Sequence, residues 1–225
     1  MKLLPSPATL LCLAGSLLWS METPAATILP AQDSDLYAHT GIPTGSTNDL
    51  NITSEFAGGP GGPHAMRSFL EFDLSSLGYA PGATVTSAIL YLYAPTVTAA
   101  GTIRLTNITS DWAVDSSLTW LTQPSVGSTT VDVTVSAGSS WYAFDITSLT
   151  QGWVDNPSSN FGVRLNSPAS AQVAFTSVDA TGGEEAFRPY LVVTPEPGRA
   201  ALLLIAATSL VWRRRRENAQ ACAFA

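Results

Sequence analysis

The sequence predicts an all-β fold, a two-sheet antiparallel jelly-roll sandwich with one short helix. Three observations carry this expectation. Apolar and polar residues alternate with period two over many short segments, as half-buried strands require. Thr, Ser, Val, Gly and Pro dominate the middle of the chain, while amphipathic stretches of helical length are missing there. Gly-, Pro- and Ser-rich turns separate the alternating segments at the spacing of a sandwich.

Taken in order, the chain opens with Lys2 as a small positive region and the apolar run Leu10–Trp19, followed by small residues at Ala25 and Ala26. This is the layout of an export signal over residues 1–26, with cleavage near Ala26. Leu11 precedes Cys12 where a lipidation signal carries a small residue, so lipidation is rejected. The only other cysteine is Cys222, near the far end, which leaves the exported part without disulfides or a thiolate metal site.

Residues 27–194 form the domain, 168 residues and enough for one substantial core. Strands are expected at Ser34–His39 and Met66–Asp73. Thr84–Ala94 is apolar on both faces, with Val85, Ile89, Tyr91 and Tyr93 on one and Ala88, Leu90 and Leu92 on the other, so it reads as a central strand. Ile103 and Leu105 flank Arg104, Val131, Val133 and Val135 alternate with Asp132 and Thr134, and Phe161, Val163 and Leu165 flank Arg164. Further strands are expected at Trp141–Asp145, Ala171–Ser177 and Tyr190–Thr194. The one helix is placed at Thr147–Val154, with Thr147 as N-cap and Asn156-Pro157 as its end, and Leu149, Trp153 and Val154 packing down.

The domain has no lysine. Four arginines (Arg67, Arg104, Arg164, Arg188) face fourteen acids, which leaves it ten charges negative. Such a field repels phosphate backbones and excludes nucleic acid as a partner. It also disfavours acidic polysaccharides unless a cation bridges or the arginines cluster.

At the C-terminus, Pro195-Glu196-Pro197 leads into the apolar stretch 200–212 and then Arg213, Arg214, Arg215 and Arg216. Thirteen residues of helix span about 20 Å, short of a bilayer core of roughly 30 Å. The arginines stay on the cytoplasmic side by the positive-inside rule. The prolines keep the approach extended. This order resembles the PEP-CTERM sorting signal, which implies an exosortase as partner during export and a transient membrane hold through 200–212. A plain anchor is the other reading. The tail 217–225 continues past the point where such signals commonly stop.

A second resemblance lies in ordered blocks. Arg67-Ser-Phe-Leu-Glu-Phe-Asp-Leu-Ser-Ser-Leu77 precedes Ala83–Tyr93. Trp112, Leu118-Thr-Trp120 and Pro124 follow, then Phe144–Trp153, Phe161-Gly-Val-Arg-Leu165 and Arg188-Pro-Tyr-Leu191. Together they resemble the DNRLRE domain, a jelly-roll module of secreted bacterial proteins, and cover nearly the whole domain. The resemblance implies a cell-surface or extracellular module, some relatives being attached to polysaccharide lyases and binding alginate-like polymers. Glu71 stands where relatives often carry Lys or Arg.

The expected activity is non-catalytic association with extracellular polysaccharide, as in a biofilm matrix. The alternatives are a structural or adhesive surface protein that binds no sugar, and a hydrolase or lyase. Glycan contacts are expected from Arg67, Arg104 and Arg164, which sit on the polar phase of their strands or nearby, and from Trp112 and Trp120. Packing is the competing role for both tryptophans, and surface ion pairing for the arginines. Asp33 and Asp35, or Asp111 and Asp115, offer carboxylates for a structural calcium ion, the one cofactor expected. His39 and His64 belong to no visible nucleophile or metal pair; Glu71 and Asp73 share one strand face at spacing two, which suggests glycosidase chemistry but is also what any strand with acidic outward positions shows.

Overall fold

The computed structural model describes residues 25–38, 49–52, 58–59, 62–63, 65–79 and 82–196. The export signal up to residue 24, His39, His64, Pro197, the apolar stretch 200–212, Arg213–Arg216 and the tail 217–225 lie outside the described residues. Among the described residues, no helix is long and apolar enough to cross a membrane.

Ala25–Thr194 forms one unit. Its strands are β1 (Ala26–Ile28), β2 (Gln32–Tyr37), β3 (Asp49–Ile52), β4 (Gly58–Gly59), β5 (Gly62–Pro63), β6 (Met66–Glu71) and β7 (Val85–Ala94). They continue as β8 (Thr96–Ala99), β9 (Gly101–Ile108), β10 (Val126–Val135), β11 (Ser140–Asp145), β12 (Val163–Asn166), β13 (Gln172–Thr176) and β14 (Tyr190–Pro195). A five-stranded sheet runs β10-β9-β12-β6-β2, a four-stranded sheet β1-β14-β7-β11, and a three-stranded sheet β3-β13-β8. The pairs whose register is defined are all antiparallel.

The third sheet departs from the two-sheet expectation. β7 and β8 are consecutive, and Pro95 between them has no N–H to give to a ladder. Pairing therefore changes hands there: β7 lies beside β11, whereas β8 pairs with β13. The short β1, β3 and β8 had no separate signal in the sequence, since three or four residues are too few for alternation to stand out.

The main core lies between the sheets. Leu70, Ile103, Leu105, Val163 and Leu165 come from the five-stranded sheet, Phe72 from just past the end of β6, and Ala88, Leu90, Leu92, Phe144, Leu191 and Val193 from the four-stranded sheet. Leu50, Ile52, Val173 and Phe175 of the three-stranded sheet complete it. Each fully buried large side chain of this kind contributes about 1.5–3 kcal/mol. β7 is central, as its two apolar faces required, with Tyr91 and Tyr93 on the side away from this core.

The helix α1 (Thr147–Asp155) lies where expected, and Trp153 and Val154 are buried beneath it. Its cap differs from the expectation. Thr147 is the first helical residue, and the Asp145 carboxylate accepts both its N–H (3.0 Å) and its hydroxyl (2.6 Å). The Thr147 hydroxyl oxygen in turn accepts the Ala88 N–H at 2.9 Å, tying the helix start to β7. Asn156 ends the helix, because Pro157 follows it.

Gly162 closes the turn into β12 at φ 81°, and a Cβ there would stand 2.0 Å from the Leu70 carbonyl oxygen. Only glycine lets β12 approach β6 this closely.

Candidate functional site

The register of the five-stranded sheet decides which side chains share a face. Arg104 on β9 stands opposite Asn166 on β12, and Arg164 stands opposite Thr106 on β9 and Phe69 on β6. Arg67 is two residues from Phe69 on the same strand. All three arginine positions therefore fall on one face of one sheet, the face turned away from the main core.

Their surroundings differ. Arg104 faces Asp132 across β9–β10 and donates to it through Nε (2.8 Å) and Nη2 (2.7 Å). The guanidinium holds the Asp132 carboxyl below the usual carboxylate range. Both side chains are about 40% exposed, so this is an ordinary surface pair. Arg164 is half-buried at mid-sheet.

Arg67 lies with its guanidinium carbon 4.4 Å from the Trp120 ring centroid, a cation–π contact. Its Nη1 donates to Gln123 Oε1 (2.7 Å), and Gln123 Nε2 donates to the Trp120 carbonyl (2.8 Å). The connection between β9 and β10 thus folds over this end of the sheet and brings Trp120 onto Arg67.

The same connection seals a second, smaller core of Leu36, Phe69, Ile108, Trp112 and Leu118 on the outer face. This corrects the expectation for Trp112. Its ring is tilted against Phe69 at 5.8 Å and only 8% exposed, and its Nε1–H donates to the Phe161 carbonyl at 2.9 Å. No ring face is left for a sugar. Trp153 is likewise core, whereas Trp120 remains half-buried.

Asp33 and Asp35 point the other way, towards the interior, and both are buried. Asp33 accepts the Ser177 hydroxyl at 2.9 Å and the Val178 N–H at 2.7 Å; Asp35 accepts the Asn51 N–H at 3.3 Å and its Nδ2 at 3.0 Å. They tie the edge strand β2 to the chain after β13 and to β3. Burial is the main cause that raises both carboxyls, Asp33 to about 6. Among the described residues no group of three or more His, Cys, Asp or Glu side chains converges as a metal site would need. Asp111 and Asp115 accept neighbouring backbone N–H groups instead, Asp111 from Trp112 at 3.0 Å and Asp115 from Ser117 at 2.7 Å.

Glu71 and Asp73 do not form a pair on one strand. β6 ends at Glu71, which accepts Gln32 Nε2 at 2.5 Å, while Asp73 lies beyond it and accepts the Ser75 N–H at 2.8 Å.

Two features had weak signals in the sequence. A cavity of about 310 Å³ opens between α1 and the adjoining ends of β9 and β10. On the outer face of the four-stranded sheet, Tyr91 stacks on Tyr190 at 5.0 Å and Tyr93 on Phe187 at 4.3 Å. Trp141, 37% exposed, lies against Tyr93 (5.2 Å) and Tyr190 (5.3 Å). The outward phase of Tyr91 and Tyr93 hinted at this cluster; its partners came from β11, β14 and the short 3-10 turn before β14.

No curated protein matches the chain. The family model of carbohydrate-binding module family 96 matches residues 25–195, the whole of the folded unit just described. With three quarters of its residues under that match, the chain belongs to carbohydrate-binding module family 96.

Proposed function

We propose that this protein is an exported, non-catalytic jelly-roll module that holds extracellular polysaccharide on the outer face of its five-stranded sheet. The observation that carries the reading is the gathering of Arg67, Arg104 and Arg164 on that one face of a lysine-free domain, with Trp120 laid beside Arg67. An aromatic ring offers a surface to the apolar face of a pyranose, and a guanidinium donates paired hydrogen bonds to hydroxyls or a carboxylate. Arg67, Arg104, Arg164 and Trp120 are the contacts of this reading, with Arg104 already paired to Asp132 and Arg67 to Gln123.

The two ends of the chain supply the address. An export signal over residues 1–26 carries the domain through the inner membrane. The Pro195-Glu196-Pro197 motif, the apolar stretch 200–212 and Arg213–Arg216 then present it to an exosortase. The membrane hold is temporary, and the domain ends at the cell surface or in the matrix outside it.

Electrophoresis of the purified full chain through native gels containing polysaccharides tests the binding reading. Neutral or acidic polymers are expected to retard the wild type, and Trp120→Ala and Arg67→Gln to run nearer to a non-binding control. Migration unaffected by every polymer, with and without calcium, would sink it. An adhesive protein–protein role is the second reading, favoured by the partly exposed aromatic cluster around Trp141.

A further inference from the structure

We infer that the cavity between α1 and β9–β10 is a second carbohydrate subsite, built for one or two uncharged sugar units. None of the ten residues that line it is ionisable. Asn107, Thr109, Thr129, Ser148 and Ser159 contribute an amide and four hydroxyls, while Leu149 and Phe161 are half-buried walls beside the buried Trp153. Apolar walls with a few convergent neutral donors and acceptors are what a pyranose presents in complement: C–H groups on its faces and hydroxyls around its rim.

The polar groups are available. Among the described residues, the hydroxyls of Thr109, Thr129 and Ser148 have no hydrogen-bond partner, whereas Asn107 Oδ1 accepts the Thr129 N–H at 3.2 Å and so fixes the amide's direction. Ser159 Oγ donates to the Asn156 carbonyl at 2.7 Å, which leaves its oxygen free to accept.

Size and charge define the ligand class. At about 310 Å³ the cavity is at the small end of ligand sites, which run from about 300 to 1,000 Å³. It therefore suits a chain end or a branch unit better than a long run of polymer. A uronate or sulfated unit would find no cation in the lining and would enter a domain ten charges negative. This subsite rests on the carbohydrate-binding reading but is separate from the arginine face, so the two are distinguishable.

Gly152 supplies the test. It lines the cavity from α1, and a Cβ at this position meets nothing within 4 Å. A larger side chain there is expected to crowd the cavity, and it replaces a poor helix former without a clash at Cβ, so the fold is retained or strengthened. Isothermal titration calorimetry of the full chain would use neutral gluco-, manno- and galacto-configured hexaoses and a hexauronate.

At least one neutral hexaose is expected to bind, and Gly152→Leu to weaken it by about ten-fold or more. Thr129→Val, which keeps the shape and removes one hydroxyl, is expected to weaken it by a few-fold. Trp120→Ala is expected to leave this binding unchanged while reducing retention by the long polymers of the gel assay. Wild-type affinity in Gly152→Leu with an unchanged melting temperature would overturn the subsite, as would binding of the hexauronate alone. Failure of every hexaose to bind, with long polymers still retained, would overturn the subsite and leave the arginine face standing.

Discussion

Asp33 makes the stability of this protein depend on pH in a direction opposite to the usual one. Its carboxyl is 4% exposed, and burial pushes it from 3.8 to about 6 despite hydrogen bonds from Ser177 and Val178. A folded-state pKa above the unfolded value means that the folded chain holds the proton more tightly. The stabilisation is complete below about pH 4 and is lost as pH rises through about 6. A shift from 3.8 to about 6 corresponds to about 3 kcal/mol at about 1.4 kcal/mol per unit.

Asp33→Asn removes the charge and keeps an oxygen for the Val178 N–H, while the new NH₂ meets the Ser177 hydroxyl, which can accept. Urea unfolding followed by tryptophan fluorescence, at steps from pH 4 to 7.5, gives the difference between variant and wild type. That difference is expected to swing by about 3 kcal/mol in favour of Asp33→Asn between pH 4 and 7. A flat difference across that range would refute the buried-carboxyl argument. Adding calcium gives a second arm. If Asp33 and Asp35 hold the ion, the carboxylates stay ionised, the slope reverses, and chelation lowers the melting temperature; an unchanged profile rejects that site.

Gly162→Ala would press a methyl group to 2.0 Å from the Leu70 carbonyl at a left-handed backbone position. It is expected to cost several kcal/mol and to abolish the cooperative melt near physiological temperature; a drop of only a degree or two would show that β12 and β6 can part there without loss. Trp112→Phe keeps an aromatic ring against Phe69 but leaves the Phe161 carbonyl without its donor. About 1 kcal/mol of destabilisation is expected in urea melts, with polysaccharide retention unchanged. Lost retention at full stability would return Trp112 to the binding surface.

Much of the fold was legible because strand period is local. The alternation at Ile103/Arg104/Leu105 and Val163/Arg164/Leu165 places each arginine on the side away from the core, and the structure has them there. The double apolar face of Thr84–Ala94 marked a central strand, and β7 is one. The helix was legible from its apolar residues and its Asn156-Pro157 stop, though not its cap, because Asp145 reaches forward from the preceding strand.

Other features were not legible, since alternation names a face without saying what covers it. Phe69 and Leu70 are adjacent and both fully buried, one under the sheet and one beneath the β9–β10 connection. That cover turned Trp112 from a sugar-contact candidate into core. Asp33 and Asp35 read as carboxylates for a calcium ion, yet they are on the inner phase of an edge strand, where the chain after β13 and the neighbouring β3 supply their donors.

The sequence by itself determined the all-β class, the phase of β7, β9, β10 and β12, and a domain ten charges negative. These follow from residue type and short spacing, which a one-dimensional string carries in full. Only the tertiary structure decided that three arginines from three separate strands share one face and that an uncharged cavity opens beneath α1. Strand neighbours are chosen by long-range pairing, and β6 and β12 meet across more than ninety residues of chain. No local pattern records that choice.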